Sequence, residues 1–363
     1  MKTIFTNLFK KYKEALGIFL VSRILIFFIF SFLFTYNFGI PQFSQWDANT
    51  YLSIAKEGYQ FFGSYKDAGS YIAFFPLFPL IVRIFSEISH ADILFSALSL
   101  NLVFGICSAV LIYKIARDRW GKDAAINSVL LFSFFPTSIF LTVPYSESLF
   151  LFVVLLSFIL LENKKFFYAS VFISLSLITR LTGIILIPAL FYYLFRKKIK
   201  IFLWPIYIAI SLLPFLIFLY FQYINYGTPL AFLEAQRINW YHQLVFPWIG
   251  FGNLIGYALS SGSLSTMWRT DLVMLSIMII TLILAKKNIN AFFMIFGFGV
   301  ILLTINQSFI LGTSRYMLMV LPFYFFWGKF LTKHSLAKQI VLAISISWMT
   351  FNSILFLLSK PLF

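Results

Sequence analysis

An aspartate stands just beyond the first long apolar run of the chain, in the stretch FSQWDANTYLSIAKEGY of residues 43–59. Asp47 follows Trp46, and the chain holds only 12 acids among its 363 residues. A carboxylate at a fixed position can take a proton from a reacting hydroxyl group. The same residue can cap a helix by accepting N–H bonds from its first turn. The two roles are compatible, because a carboxylate fixed at a helix start is also well positioned.

Two arginines lie inside apolar segments, where a charge is costly and usually functional. Arg180, in LITRLTG, is at the apex of a hairpin of only 30 residues, 166–195, whereas two full membrane crossings need roughly 40. A shallow hairpin would hold its guanidinium near the far membrane surface. Arg23 lies about two turns from the start of its apolar run. We therefore predict a functional role for Arg180. For Arg23, we predict that the side chain extends back to the membrane surface.

Three further stretches carry polar side chains next to apolar segments. VPYSESLFLF places Glu147 between two serines, so that Ser146 is a candidate helix cap and Glu147 would favour the N-terminal helix dipole. A functional role for Glu147 remains the alternative. Residues 226–243 bring together Glu234, Gln236, Arg237, Trp240 and His242, and TSRYMLMVLP carries Arg315 and Tyr316 at the start of an apolar segment.

The composition shows what kind of protein must position these residues. Hydrophobic residues make up 61% of the chain and charged residues 11%, whereas soluble domains are about 45–50% apolar and about 25% charged. The chain is therefore predicted to be an all-α integral membrane protein. The single cysteine, Cys107, excludes an internal disulfide. The three histidines do not have the spacing of metal ligands, so no metal site is predicted.

Eleven apolar segments are candidate membrane spans. They are 16–36, 92–113, 124–143, 148–161, 166–179, 182–195, 202–224, 270–285, 291–306, 316–331 and 339–358. Most of the 28 lysines and arginines fall in the connections that strict alternation of these spans places on one side. The positive-inside rule makes that side cytoplasmic, together with the N-terminus. The net charge of +16 is thus interpreted as an orientation signal in a multi-pass cell-membrane protein, and nucleic acid is not an expected partner.

The outer side of this topology holds two large loops, 37–91 and 225–269, within a single domain of residues 1–363. The first loop is predicted to carry an amphipathic helix from Asp47 to the stop at Gly58, and a second short surface or re-entrant helix in AFFPLFPLIVRIF. Eight of the twelve acids fall on this side: Asp47, Glu57, Asp67, Glu87, Asp92, Glu147, Glu234 and Asp271. This distribution predicts chemistry at the outer membrane–water boundary.

Several of these stretches, in this order, resemble the PIG-V mannosyltransferase family of the GT-C superfamily of multi-pass glycosyltransferases. The matching stretches are WDANTYLSIAKEGY, AFFPLFPL, FSFFPTSIFLTVPYSESLF and ITRLTG, which lie within residues 45–185. The C-terminal half matches by hydropathy, by NYGTPLAF, by Gln236 and Trp240, and by the pair Arg315–Tyr316. The resemblance implies a GT-C-like bundle of about eleven spans. It also implies transfer of a sugar, usually mannose, from a polyprenyl-phosphate donor with inversion at the extracytoplasmic face.

The resemblance also gives roles to individual residues. Asp47 occupies the position of the catalytic base, and the acceptor would be a hydroxyl of a glycolipid, glycan or protein. Arginine binds phosphate oxygens with two parallel bonds, so Arg180 and Arg315 are expected to hold the donor phosphate. The expected substrate-binding set is Trp46, Tyr145, Glu147, Arg180, Gln236, Trp240, Arg315 and Tyr316. Trp46, Tyr145 and Trp240 would stack on sugar rings, although anchoring at the interface is the alternative. We expect catalysis without a metal ion or cofactor.

Two other functions remain open at the level of sequence. A transporter or flippase of a lipid-linked sugar would need ionisable groups along a path through the membrane, and only Arg23 and Arg180 lie within apolar segments. A non-catalytic membrane partner subunit would tolerate the loss of Asp47. Replacing Asp47 therefore separates the transferase from the partner subunit.

Overall fold

The computed structural model describes residues 2–33, 40–60, 69–262, 264–310 and 312–360, with side chains described from Lys10 and, in the second range, from Gln42. The predicted outer acid Asp67 lies outside these ranges. The described part is helical. Its α-helices are α1 (Lys2–Leu33), α2 (Asp47–Glu57), α3 (Leu77–Ser89), α4 (Ile93–Trp120), α5 (Lys122–Ser133), α6 (Glu147–Glu162), α7 (Phe166–Leu177), α8 (Leu186–Arg196), α9 (Trp204–Tyr226), α10 (Ala231–Trp240), α11 (Pro247–Leu259), α12 (Ser265–Ala285), α13 (Ala291–Ile305), α14 (Thr313–Met317), α15 (Leu321–Phe330) and α16 (Ser335–Leu357).

Five stretches of the described helices are long and apolar enough to cross a membrane. They are Lys10–Leu33, Ile93–Trp120, Ile201–Tyr226, Ser265–Ala285 and Ser335–Leu357. Helices of 10–17 residues, including α7 and α13, lie among them. The chain is thus a multi-pass helical membrane protein by length and composition, while the number of eleven spans stays a prediction.

Two of the predicted membrane spans are wrong, because neither is a continuous helix in the structure. The span 124–143 ends as α5 at Ser133, and the chain continues through 134–146 with only a 3-10 turn at Ser138–Leu141. Pro136 explains the break, because a proline disfavours helical backbone in the residue before it. The span 316–331 is divided into α14 and α15. Irregular backbone within a membrane protein is tolerated where protein covers it, and residues 134–146 are buried throughout.

Helices α2 and α3 occupy the stretch between α1 and α4. Helix α2 begins at Asp47 and ends at Glu57, and the amide of Gly58 donates to the carbonyl of Ile54 over 2.8 Å. One face of α2 is buried, through Ala48, Tyr51, Ile54 and Ala55. Both stretches are thus helical, while their assignment as surface helices of an outer loop stays a prediction.

The hairpin that carries Arg180 turns sharply. Helix α7 ends at Leu177, and a 3-10 turn, Leu181–Ile185, leads into α8. A side chain at Gly183 would come within 2.6 Å of the backbone of Ser176 and Leu177, so the turn requires glycine there. The short hairpin predicted from the sequence is thus built by a close backbone approach, with Arg180 at its apex.

Arg23 does not extend to the surface as predicted. Its side chain is 2% exposed and donates hydrogen bonds of 2.6 Å to the carbonyls of Ser133 and Ser138. A third bond of 2.9 Å reaches the hydroxyl of Thr142. The reason is the break after α5, which leaves carbonyl groups without helical partners that a guanidinium with five donors can satisfy. Arg23 therefore fixes the buried segment 134–146, which leads directly to Glu147.

Substitution of Arg23 by methionine is expected to destabilise the protein, because the buried carbonyls of Ser133 and Ser138 both lose their guanidinium donor and Ser133 keeps only a bond from the Ser138 hydroxyl. Hydrogen bonds to charged groups contribute about 1.5–3 kcal/mol each. A loss of about 3 kcal/mol lowers the thermal midpoint by roughly 4 °C, measured on the purified protein in detergent. Arg83→Met is the matched control, since the Arg83 side chain is 47% exposed. Equal midpoints for the two variants would contradict this role for Arg23.

Candidate active site

Four charged side chains from distant parts of the chain form a continuous row of alternating sign. Arg315 Nη1 lies 2.6 Å from Asp47 Oδ2, and Arg315 Nε lies 2.5 Å from Glu147 Oε1. The same Glu147 oxygen accepts a bond of 2.7 Å from Arg180 Nη1. The row Asp47–Arg315–Glu147–Arg180 thus joins α2, α14, α6 and the turn after α7.

Asp47 is the most exposed member of this row. Its side chain is 23% exposed, whereas each arginine is 10% exposed and Glu147 is fully buried. The predicted capping role of Asp47 is wrong: the residue that precedes α2 is Trp46, with φ of 57°, and no side chain caps the helix there. Asp47 is instead the first helical residue, and its carboxylate is occupied by Arg315. The carboxylate therefore lies at the start of helix α2 and at the edge of the cavity described below.

Glu147 lies behind the arginines and binds both of them. The predicted cap by Ser146 is absent, because its hydroxyl lies 2.9 Å from Tyr51 Oη and 3.2 Å from Arg180 Nη1 instead. Burial raises the pKa of Tyr51 to about 12, so this phenol stays protonated at neutral pH. Glu147 therefore orients the two guanidinium groups, and it does not line the cavity described below.

Arg315 is held by contacts that the sequence did not reveal. The buried carboxylate of Asp271 accepts the backbone N–H groups of Thr313 and Ser314, at 3.2 Å and 2.8 Å. Asp271, on α12, thereby binds the start of α14, which follows Gly312 in a left-handed conformation, φ 72°. The guanidinium also lies 4.4 Å from the ring centre of Tyr145. These contacts fix both the backbone and the side chain of Arg315.

A cavity of about 790 Å³ opens beside the charged row. Eight of the nine predicted site residues line it: Trp46, Asp47, Tyr145, Arg180, Gln236, Trp240, Arg315 and Tyr316. The ninth, Glu147, lies outside the lining, as described above. The structure thus brings together residues that are distant in the sequence, such as Asp47 and Arg315, which are 268 positions apart.

The cavity wall differs in chemistry from one side to another. Arg180 and Arg315 supply positive charge, with the guanidinium of Arg180 5.6 Å from the ring centre of Tyr316. Carboxamide and imidazole groups from the end of α10 and the connection after it form a second part. Apolar side chains form a third: Leu233, Leu264, Met267 and Leu303. The cavity can therefore hold a ligand with an anionic, a polar uncharged and an apolar portion.

Burial lowers the pKa of His242 to about 4, although the charge of Asp47 acts in the opposite direction. This imidazole is uncharged at neutral pH. Within the described ranges, no three His, Cys, Asp or Glu side chains are grouped as metal ligands. The ionic groups of the site are therefore the carboxylates and guanidiniums of the row, and the pair Glu234–Arg237 at 2.9 Å.

Comparison with known proteins gives a family and several relatives. A family model described as Mannosyltransferase (PIG-V) matches residues 28–250. GPI alpha-1,6-mannosyltransferase 2 of Mus musculus is 28% identical over 152 residues, which are 39% of this chain and 29% of that protein. GPI mannosyltransferase 2 of Drosophila pseudoobscura pseudoobscura is 31% identical over 117 residues, 30% of this chain and 24% of that protein. The chain thus spans less than a third of the length of these relatives.

A solved structure of an oligosaccharyltransferase from Archaeoglobus fulgidus aligns with 98% of this chain and 55% of that chain, at 14% identity and a TM-score of 0.48. The family match begins within α1 and includes Asp47, Glu147, Arg180 and Trp240, whereas Arg315 lies beyond it. The resemblance predicted from WDANTYLSIAKEGY and VPYSESLF is confirmed by this match. The family model covers more than half of the residues of this chain. The chain therefore belongs to the PIG-V mannosyltransferase family.

Proposed function

We propose that this protein is a glycosyltransferase that moves mannose from a polyprenyl-phosphate donor to a hydroxyl group of a lipid-linked or other acceptor. The observation that carries the proposal is the placement of one partly exposed carboxylate and two oriented guanidiniums on a single cavity, in a chain of this family. The carboxylate suits a proton acceptor and the guanidiniums suit a phosphate. The apolar part of the wall suits the start of a lipid chain.

The reaction is a single displacement. The acceptor oxygen attacks the anomeric carbon of the mannose, and Asp47 takes the hydroxyl proton as the new C–O bond forms. The bond from the anomeric carbon to the phosphate oxygen breaks, and the lipid phosphate leaves with the bonding electron pair. Because attack and departure occur on opposite faces, the anomeric configuration is inverted.

The two arginines stabilise the charge that develops on the leaving phosphate. Glu147 holds both guanidiniums at bonding distance, so that little reorganisation is needed when the phosphate arrives. Arg315 also binds Asp47, at 2.6 Å. A bound phosphate competes for this guanidinium and releases the carboxylate for the acceptor hydroxyl.

Two guanidiniums supply positive charge at the leaving group, so the proposed reaction needs no metal ion. In the proposed orientation the N-terminus is cytoplasmic and the cavity opens on the extracytoplasmic side. Single cysteines at Lys198 and Tyr241, in a Cys107→Ser background, test this orientation with a membrane-impermeant thiol reagent. Labelling of both positions from the same side of intact cells would refute it.

The activity is tested with purified protein in detergent, polyprenyl-phosphate mannose, and a panel of octyl glycosides as acceptors. We expect a product that carries one additional mannose by mass spectrometry. We further expect that adding EDTA changes the transfer rate by less than about two-fold. A complete loss with EDTA that Mg²⁺ or Mn²⁺ restores would overturn the metal-independent reaction.

A further inference from the structure

A separate part of the cavity wall consists of uncharged polar side chains. We call Gln236, Trp240, His242, Gln243 and Gln307 the amide wall; all five line the cavity. In the described part of the chain, no hydrogen bond joins the three carboxamide groups to another side chain. Nε2 of His242 also has no hydrogen-bond partner there. These groups therefore retain unused hydrogen-bonding capacity in the cavity that Asp47 also lines.

The backbone behind the amide wall is held in place, although it belongs to two loops. Leu244 and Gln307 form an antiparallel bridge. The amide of Val245 donates to the carbonyl of Asn306 over 2.9 Å, and the amide of Ser308 donates to the carbonyl of Gln243 over 2.8 Å. This pairing joins the connection after α10 to the end of α13. It presents side chains from both loops on one surface.

The amide wall carries no net charge at neutral pH. Its only titratable side chain is His242, whose pKa of about 4 keeps the imidazole neutral. The charged groups nearby are already paired: Glu234 with Arg237 at 2.9 Å, and Asp47 with Arg315 at 2.6 Å. Carboxamides offer both donors and acceptors, which match the hydroxyl groups of a sugar. The Trp240 ring, edge-on to Phe74 at 5.9 Å, adds an aromatic surface.

We propose that the amide wall is the binding site for the acceptor, and that it selects an uncharged sugar ring over one that carries an amine or a carboxylate. The proposal rests on the transferase function above and specifies its acceptor. An ionised substituent would lose hydration at this wall without gaining an opposite charge there, because none of the five side chains of the wall is charged. A hydroxyl group instead exchanges water for a carboxamide.

The test measures kcat/KM for three acceptors: octyl glucoside, octyl glucosaminide and octyl glucuronide. At about pH 6 the amine is protonated and the carboxylate ionised. We expect the wild-type protein to prefer the glucoside. Gln243→Glu should raise the ratio of glucosaminide to glucoside about five-fold, and Gln243→Lys should raise the ratio of glucuronide to glucoside by a similar factor. Gln243 is exposed, so both variants should fold.

Gln307→Glu provides a second position on the same wall, and Asn288→Asp is a control with the same change of charge at an exposed residue outside the cavity lining. The KM for polyprenyl-phosphate mannose should stay unchanged in the Gln243 variants. Acceptor ratios that stay within two-fold of wild type at both glutamines would overturn the proposal. A change in donor KM alone would also overturn it, because the wall would then bind the donor sugar.

A readout without turnover separates this proposal from the transferase function. Octyl glucoside should change the fluorescence of Trp240 in the absence of donor, and Trp240→Phe should remove the change. If octyl glucoside binds to the wild-type protein but no mannose is transferred, the transferase function is contradicted, whereas the sugar-binding site at the amide wall is supported. Transfer with no fluorescence change at Trp240, and with unaltered ratios in the glutamine variants, would contradict the sugar site alone.

Discussion

Asp47→Asn is expected to lower kcat for mannose transfer by about 10²–10⁴-fold, the usual contribution of a general base. The amide has nearly the shape of the carboxylate and still offers an oxygen to Arg315, so the row of side chains can persist. It cannot take the proton of the acceptor hydroxyl. The measurement is the initial rate at saturating donor, together with the thermal midpoint to show that the variant is folded.

Glu57→Gln is the matched control, because Glu57 is an exposed acid at the other end of the same helix α2. It should transfer mannose at the wild-type rate. An Asp47→Asn protein that is folded and retains more than about a tenth of the wild-type kcat would refute the assignment of Asp47 as the base.

Glu147→Gln is expected to cause the largest loss of stability. Glu147 Oε1 lies between two guanidiniums at 2.5 Å and 2.7 Å, and its side chain is fully buried. Removing its charge leaves two enclosed cations close together, with Asp47 as the remaining anion of the row. Breaking a buried ion pair in this way costs about 3–5 kcal/mol. The thermal midpoint should fall by about 4–7 °C.

The control for this prediction is Glu87→Gln. Glu87 pairs with Arg83 at 2.9 Å, but both side chains are about half exposed or more, at 64% and 47%. An exposed pair contributes about 0–1 kcal/mol, so the midpoint should barely move. Similar midpoints for the two variants would show that Glu147 does not hold the arginines together. Transfer by Glu147→Gln should also fall, since both guanidiniums lose a common partner.

Composition and charge were enough to predict a helical membrane protein, and the order of the polar stretches was enough to predict its family. They could not predict the contacts within the site. Asp47 and Arg315 are 268 positions apart, and their contact depends on how α2 and α14 pack. The resemblance placed both in the site without giving the contact. The burial of Glu147 was likewise invisible, because a short motif such as YSES does not show which side chain faces the interior.

The errors have local physical causes. Pro136 in FFPTS was a signal for the end of α5, but hydropathy alone continued the span through it. Arg23 was predicted to reach water because that is the least costly place for a cation. The break after α5 instead supplied two carbonyls within 2.6 Å. The sequence identifies Asp271 only as an outer acid, since its bonds to Thr313 and Ser314 join two different helices.

The most direct test of a reaction built around a lipid phosphate is a comparison of two donors with the wild-type protein. One reaction contains polyprenyl-phosphate mannose and the other contains a nucleoside-diphosphate mannose, with the same octyl glycoside acceptor. We expect transfer from the lipid donor alone, with inversion at the anomeric carbon by NMR of the product. Transfer from the nucleotide donor alone, or a product that retains the donor configuration, would contradict it.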